Sequence, residues 1–200
     1  MLHQIIIYLA VGVFAGLSAG LLGLGGGLVV VPSLIYVYSH LGFSNDLVGH
    51  LAIGTSLGAM IFTLIPSIYA HHRNGYTDFK IVLTFLPGLV IGAMMGAIIT
   101  YFLTTFVIRI VFGLFLIPVA IKLFLKKDQV ISGNGQSEKL VFPRAYSVLA
   151  GAVSGLLGIV AGTMKVSYFT ACHLSIKRAI GTEAGCGFTV AVVCAMNYII

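Results

Sequence analysis

Long apolar runs, separated by short polar loops, make up most of the chain. A run of about 20 apolar residues has the length of a helix that spans a membrane. The pattern predicts such helices over residues 51–70, 81–101 and 104–125, preceded by an apolar stretch from 5 to 38 that is too long for one ordinary span. The predicted fold class is therefore all-α, a polytopic membrane protein.

The first apolar stretch carries a cluster of glycines near its middle, namely Gly23, Gly25, Gly26 and Gly27. Each glycine costs about 1 kcal/mol relative to alanine inside a helix, so the cluster predicts a break between two half-helices. Unwound backbone at membrane depth must be buried in protein or line a cavity. The second half-helix, starting near Leu28, would direct its free N–H groups and the positive end of its dipole at that cavity, which suits an anion.

The beginning of the chain recurs after a polar segment. Residues 155–169 align with 20–34 without a gap, and 178–185 align with 51–58. An internal repeat with interrupted apolar segments at matching positions indicates the binding site of a transporter. The third predicted span also carries glycines at a spacing of four, which permits close backbone contact with a neighbouring helix.

This alignment divides the chain into three parts. We predict a first transmembrane repeat over residues 1–125, a polar cytoplasmic linker over 126–144 and a second transmembrane repeat over 145–200. The last residue lies within an apolar run, so the second repeat is expected to be incomplete and truncated relative to the first.

Basic residues at the ends of the apolar runs predict the topology, because cytoplasmic loops are enriched in Lys and Arg. The basic loops 71–80 and 126–144 are predicted to be cytoplasmic. Lys177 and Arg178 would share that side if the second broken element is a helical hairpin, and would lie outside if it is a single crossing. The hairpin is our preferred interpretation, and it would invert the two halves so that the tips of their half-helices could meet near the midplane.

Composition narrows the function classes. The chain is 59% hydrophobic and 8% charged with a mean hydropathy of +1.10, which describes an integral membrane protein and not a soluble domain. Its net charge of +6 is explained by topology and not by nucleic-acid binding. Cys172, Cys186 and Cys194 lack metal-type spacing and are predicted to be free thiols. The first apolar run has no basic segment or cleavage site typical of a removable signal peptide.

Two other classes are disfavoured by the residues. A glycine-rich nucleotide-binding loop needs a strand before it, and this context is helical. An intramembrane enzyme needs a nucleophile and base or a metal set, whereas the six histidines are scattered and only His71 and His72 are adjacent. We therefore predict no enzyme activity, cofactor or metal. The alternative to a transporter is a truncated, non-transporting membrane paralogue or an assembly partner.

The glycine motif that ends at Pro32, the Ala-Ile-Gly-Thr-Ser motif that ends at Ser56 and their second copies resemble the TauE/SafE family of sulfite and organosulfonate exporters. The resemblance covers nearly the whole chain. It implies a multi-pass protein of the cell inner membrane, with two related repeats, that moves small sulfur-containing anions. Carried over, the two motifs fall on Gly23, Gly25, Gly26, Gly27, Pro32, Gly54, Thr55 and Ser56.

The mechanism expected is alternating access around an anion held by backbone N–H groups and hydroxyls of the two broken elements. The expected partners are a small inorganic or organosulfur anion and the lipid bilayer, with no nucleic acid, and a homo-oligomer is left open. The same residues could instead serve only helix packing or capping. The predicted substrate-binding residues are Gly23, Gly25, Gly26, Gly27, Thr55, Ser56, Gly162, Thr163, Lys165, Thr182 and Glu183.

The second copy of the motifs departs from the family pattern in carrying charge. Lys165 follows the second break, and Glu183 stands where the first copy has Ser56. An unpaired charge inside a membrane bundle costs about 3 kcal/mol, so we predict that the two residues form an ion pair that plugs or tunes the cavity. In the alternative arrangement Glu183 is a solvated acid at a helix entrance and Lys165 snorkels to the interface.

Overall fold

The computed structural model describes residues 8–17, 27–125 and 143–199. Within these ranges the chain consists of helices joined by short turns, without a strand, which confirms the predicted all-α fold. Among the residues that the structure describes, three helices are long and apolar enough to cross a membrane. In chain order the helices are α1 (Tyr8–Leu17), α2 (Gly27–His40), α3 (Asn45–Arg73), α4 (Phe79–Tyr101), α5 (Thr105–Leu125), α6 (Pro143–Leu157), α7 (Gly162–Ala171) and α8 (Ile176–Ile199).

The three spans predicted in the first half are all found, and α3 is longer at both ends than the apolar run alone predicted. Its first turn carries Asp46 and its last turn carries His71, His72 and Arg73, charges that complement the helix dipole. Asp78 caps the next helix, because its carboxylate accepts a hydrogen bond from the backbone N–H of Lys80 at 3.0 Å.

Helices α4 and α6 run parallel and in backbone contact through small residues. A Cβ added at Gly92 would overlap the carbonyl oxygen of Val148, and one added at Gly96 would overlap that of Ala152. The contact advances by four residues on both helices at once, which defines their parallel direction. The close approach predicted for the glycine ladder of the third span is thereby confirmed.

Helix α8 runs parallel to α4 and antiparallel to α3. Near its start, Arg178 Nη2 lies 3.0 Å from Asp78 Oδ2 in the α3–α4 loop. Near its end, Tyr198 lies against the first half of α3, where its Cβ is 3.6 Å from a Cβ built on Gly54. The start of α8 therefore lies on the same side of the bundle as the basic loop 71–80.

Helix α7 folds back on α6 to form a helical hairpin. The ring of Tyr146, near the start of α6, stacks on Tyr168, near the end of α7, with centroids 4.1 Å apart and planes at 17°. The Tyr146 hydroxyl also donates a hydrogen bond to the Met164 carbonyl oxygen at 2.7 Å. The chain therefore enters and leaves this element on one side. The predicted hairpin is confirmed, and the single crossing is wrong.

The first broken element is described only in part. Val11 of α1 lines a shallow groove together with Tyr36 and His40 near the end of α2, so the start of α1 lies beside the end of α2. The predicted glycine break of this element falls within residues 18–26, which lie outside the described ranges, as does most of the predicted linker. Helix α6 begins at Pro143, two residues before the predicted start of the second repeat.

Candidate functional site

The second break is a short turn between α6 and α7, from residue 158 to residue 161. Two residues in it have left-handed backbone, Gly158 with φ +66° and Ala161 with φ +44°. Glycine adopts this conformation freely, whereas alanine pays about 1–2 kcal/mol for it. The alignment of the two halves pairs Ala161 with Gly26 of the first motif.

The start of α7 lies inside the bundle and faces a carboxylate. The first N–H groups of a helix have no partner within it, and the helix dipole makes that end positive. A Cβ built on Gly162, the first residue of α7, would lie 3.1 Å from both Cδ and Oε1 of Glu183. The absence of a side chain at Gly162 therefore lets the carboxylate approach the helix start closely.

Lys165 and Glu183 form a buried ion pair. Lys165 Nζ lies 3.4 Å from Glu183 Oε1, and the two side chains are 0% and 11% exposed. The predicted approach of these two residues is confirmed. The alternative of a snorkelling lysine and a solvated acid is wrong, because Lys165 is wholly buried and Glu183 is almost wholly buried beside it.

The pair leaves hydrogen-bonding capacity unused. Three buried side-chain atoms have no hydrogen-bond partner among the described residues: Thr163 Oγ1, Lys165 Nζ and Glu183 Oε1. Buried polar groups without partners are rare and costly in folded proteins, and a bound ion or an ordered water is a common explanation for them. The Lys165 ammonium, the Thr163 hydroxyl and the backbone N–H groups at the start of α7 are all donors of the kind that suit an oxyanion.

The start of α2 meets the second break. Gly27 begins α2 and is buried, and a Cβ built on it would lie 3.0 Å from Ile159 Cγ2 and 3.2 Å from Ile159 Cα. Ser56, also buried, donates its hydroxyl to the carbonyl oxygen of Gly158 at 3.2 Å. The first residues of α2 and α7, Gly27 and Gly162, occupy positions that the alignment of the two halves pairs.

Two predicted site residues lie apart from this centre. The hydroxyl of Thr55 is 3.1 Å from the Tyr38 hydroxyl on an exposed part of the bundle. Thr182 is buried, but its Oγ1 accepts a hydrogen bond from the backbone N–H of Asp78 at 3.1 Å and so fixes the α3–α4 loop. The remaining predicted residues Gly23, Gly25 and Gly26 lie outside the described ranges.

Sequence reasoning missed Gly187, one turn after Glu183 on α8. A Cβ built there would overlap the Val160 side chain in the break and would lie 3.3 Å from Glu183 Oε1. The small residue therefore allows α8 to reach the break. A glycine one helical turn from an intramembrane acid is the sequence signal that could have identified it.

Metal chemistry has no support in the described part of the chain, where no group of three or more His, Cys, Asp or Glu residues is arranged to hold a metal ion. Cys172, Cys186 and Cys194 are buried free thiols, as predicted.

Similar proteins are named as transporters. A "Probable membrane transporter protein" of Haemophilus influenzae is 31% identical to this chain, over 100% of the chain and 75% of the relative. The "Probable membrane transporter protein YunE" of Bacillus subtilis is 32% identical, over 80% of the chain and 65% of the relative. A Xylella fastidiosa relative with the same general name is 26% identical, over 98% of the chain and 75% of the relative. The chain thus spans about two thirds to three quarters of the length of these relatives.

No solved structure matches the chain significantly. A family model described as "Sulfite exporter TauE/SafE" matches residues 8–200. Together with the long apolar helices, this match gives the class of protein: the chain belongs to the sulfite exporter TauE/SafE family of membrane transporters.

Proposed function

We propose that this chain carries a small sulfur-containing anion, such as sulfite or an organosulfonate, across the cell inner membrane as a multi-pass exporter. The observation that supports the proposal is the pair of buried donors without a hydrogen-bond partner in the first turn of α7, Thr163 Oγ1 and the wholly buried Lys165 Nζ, the second of which is ion-paired with Glu183. Sulfite and sulfonate groups both present three oxygens that can accept hydrogen bonds from such donors at once. The name of the family model gives the same substrate class.

The anion would bind in a buried environment beside the Lys165–Glu183 ion pair. Lys165 contributes a full charge, Thr163 contributes a hydroxyl, and the first backbone N–H groups of α7 contribute the helix dipole. Charge-assisted hydrogen bonds are about twice as strong as neutral ones, and low polarity around the site strengthens them further. No covalent chemistry is required of the chain.

We propose alternating access as the mechanism, and the position of the site between the two halves supports it. The buried start of α2 comes from the first half and touches Ile159 in the break of the second half. Rocking of one half against the other would open the site first to one side of the membrane and then to the other. Gly27, at the start of α2, would then offer its backbone N–H group from the first half.

The hydroxyl of Thr163 provides the test. In proteoliposomes loaded with radiolabelled sulfite, Thr163→Val should raise the KM for efflux about tenfold or more, because a hydrogen bond to a charged group contributes about 1.5–3 kcal/mol. Thr170→Val is the matched control on the same helix, since its hydroxyl already bonds to the Val166 carbonyl oxygen at 2.9 Å. That control should transport like the wild type.

Equal KM values for the two threonine variants and the wild type would contradict this placement of the anion. The protein must also be shown to remain monodisperse. If its efflux then never exceeds that of empty liposomes, the result would favour the alternative of a non-transporting paralogue or assembly partner.

A further inference from the structure

The carboxylate of Glu183 already occupies the position that suits a bound anion. Its Oε1 lies 3.4 Å from the Lys165 ammonium. Its Cδ and Oε1 lie 3.1 Å from a Cβ built on Gly162, at the positive end of α7. Glu183 is therefore a resident anion that shares both attractions with any substrate anion bound there.

The charges at this position balance only when one anion is present. Lys165 and Glu183 together are neutral, and a substrate anion added to them would leave a net negative charge buried in the bundle. Two like charges at one buried site raise each other's free energy, and burial makes the cost larger. A proton on Glu183 removes the excess charge and releases Lys165 to the substrate.

We propose that each substrate anion binds together with one proton taken up by Glu183, so that the chain is a proton-coupled anion carrier. This inference rests on the proposed function. In the binding step a proton from solution forms an O–H bond with the Glu183 carboxylate, the ion pair with Lys165 opens, and Lys165 pairs with the anion. The number of charges is unchanged by the step, and no covalent bond to the substrate forms.

Few other charged or titratable groups act on Glu183 in the described part of the chain. Lys165 faces it from α7, His71 acts on it from the end of α3, and the buried thiol of Cys186 lies on α8 itself. A Cβ built on Gly181, two residues before Glu183, would lie 3.1 Å from the His71 Cβ. His71 is half-buried at the side of the basic loop.

The test measures protons and anion binding together. Purified wild-type protein in weakly buffered detergent solution, with a pH-indicator dye, is titrated with methanesulfonate, which stays ionised from pH 5 to pH 9. We expect about one proton taken up per anion bound, and a Kd that rises about tenfold per pH unit where Glu183 is ionised in the free protein. Glu183→Gln should bind methanesulfonate without proton uptake and with a Kd independent of pH.

The matched control is Asp46→Asn, which removes an exposed carboxylate in the first turn of α3, at the opposite end of the bundle from the basic loop. It should retain the proton uptake and the pH-dependent Kd of the wild type. If Glu183→Gln does not fold, the proton count of the wild type still decides whether anion binding is coupled to proton uptake.

Three outcomes count against the inference in different ways. Methanesulfonate binding by the wild type without proton uptake overturns proton coupling and leaves the proposed function intact. Proton uptake that persists in Glu183→Gln overturns the assignment to this residue. Absence of binding by both the wild type and the variant, at every pH, refutes the proposed function and the inference with it.

Discussion

Lys165→Met is expected to destabilise the protein strongly at neutral pH, because it leaves the Glu183 carboxylate buried without its cation. Lys165 is 0% exposed, so water cannot replace it without rearrangement of the bundle. Removal of one partner of a buried ion pair costs about 3–5 kcal/mol. Thermal unfolding of the purified protein in detergent should show a midpoint lower by roughly 6–20 °C, at about 2–4 °C per kcal/mol for a chain of this size.

The loss should shrink as the pH falls, since a protonated Glu183 no longer needs a cation. Charge reversal tests the pair itself. Lys165→Glu and Glu183→Lys should each lower the unfolding midpoint, and the doubly exchanged protein should recover a large part of the loss. Strictly additive effects in this cycle would mean that the two residues do not interact.

Gly92→Leu is expected to have the second large effect, through the contact between α4 and α6. The Cβ of any side chain at this position would overlap the Val148 carbonyl oxygen. The same Cβ would lie 2.8 Å from the Ala152 backbone nitrogen. Backbone atoms cannot rotate away as a flexible side chain can, so the two helices must separate. Overpacking of this kind costs about 1–3 kcal/mol or more, and the unfolding midpoint should fall by roughly 2–12 °C.

Gly113→Leu on α5 is the matched control for this substitution. A Cβ built on Gly113 meets no atom within 4 Å, and the residue is exposed. The control variant should insert and unfold like the wild type, or slightly better because leucine is the stronger helix former. Equal destabilisation by the two substitutions would refute the parallel α4–α6 contact.

The features that sequence predicted well are those fixed by length, glycine content and charge. The apolar runs were long enough to determine α3, α4 and α5, because lipid leaves the backbone no alternative to helix. Lys177 and Arg178 favoured the hairpin over a single crossing, since a single crossing would have placed them on the opposite side from the other basic loops. The Lys165–Glu183 pair followed from the cost of leaving either charge alone in the bundle.

The details of the site depended on helix rotation, which the sequence did not determine. Neighbouring residues on a helix point about 100° apart, so both members of an adjacent pair cannot face one centre. In α3 the inward position belongs to Ser56 and Thr55 faces outward. In α8 Glu183 faces α7, whereas Thr182 faces the α3–α4 loop.

The break itself also contained a feature that composition could not reveal. Ala161 adopts left-handed backbone, a conformation that an alanine at this position gave no reason to predict. The residue is buried, 3% exposed, so tertiary packing is what holds its backbone in this conformation. The contact of Arg178 with Asp78 could likewise not be predicted from the sequence, because it depends on α8 starting beside the α3–α4 loop.

The central claim is that a small anion binds at the start of α7, and its location can be measured directly. Selenite is the selenium counterpart of sulfite, and its selenium gives anomalous X-ray scattering. Crystals of the wild-type protein soaked in selenite should show an anomalous peak at the start of α7, within hydrogen-bond reach of Lys165 Nζ. A peak elsewhere in the bundle, with none at the start of α7, would contradict the account.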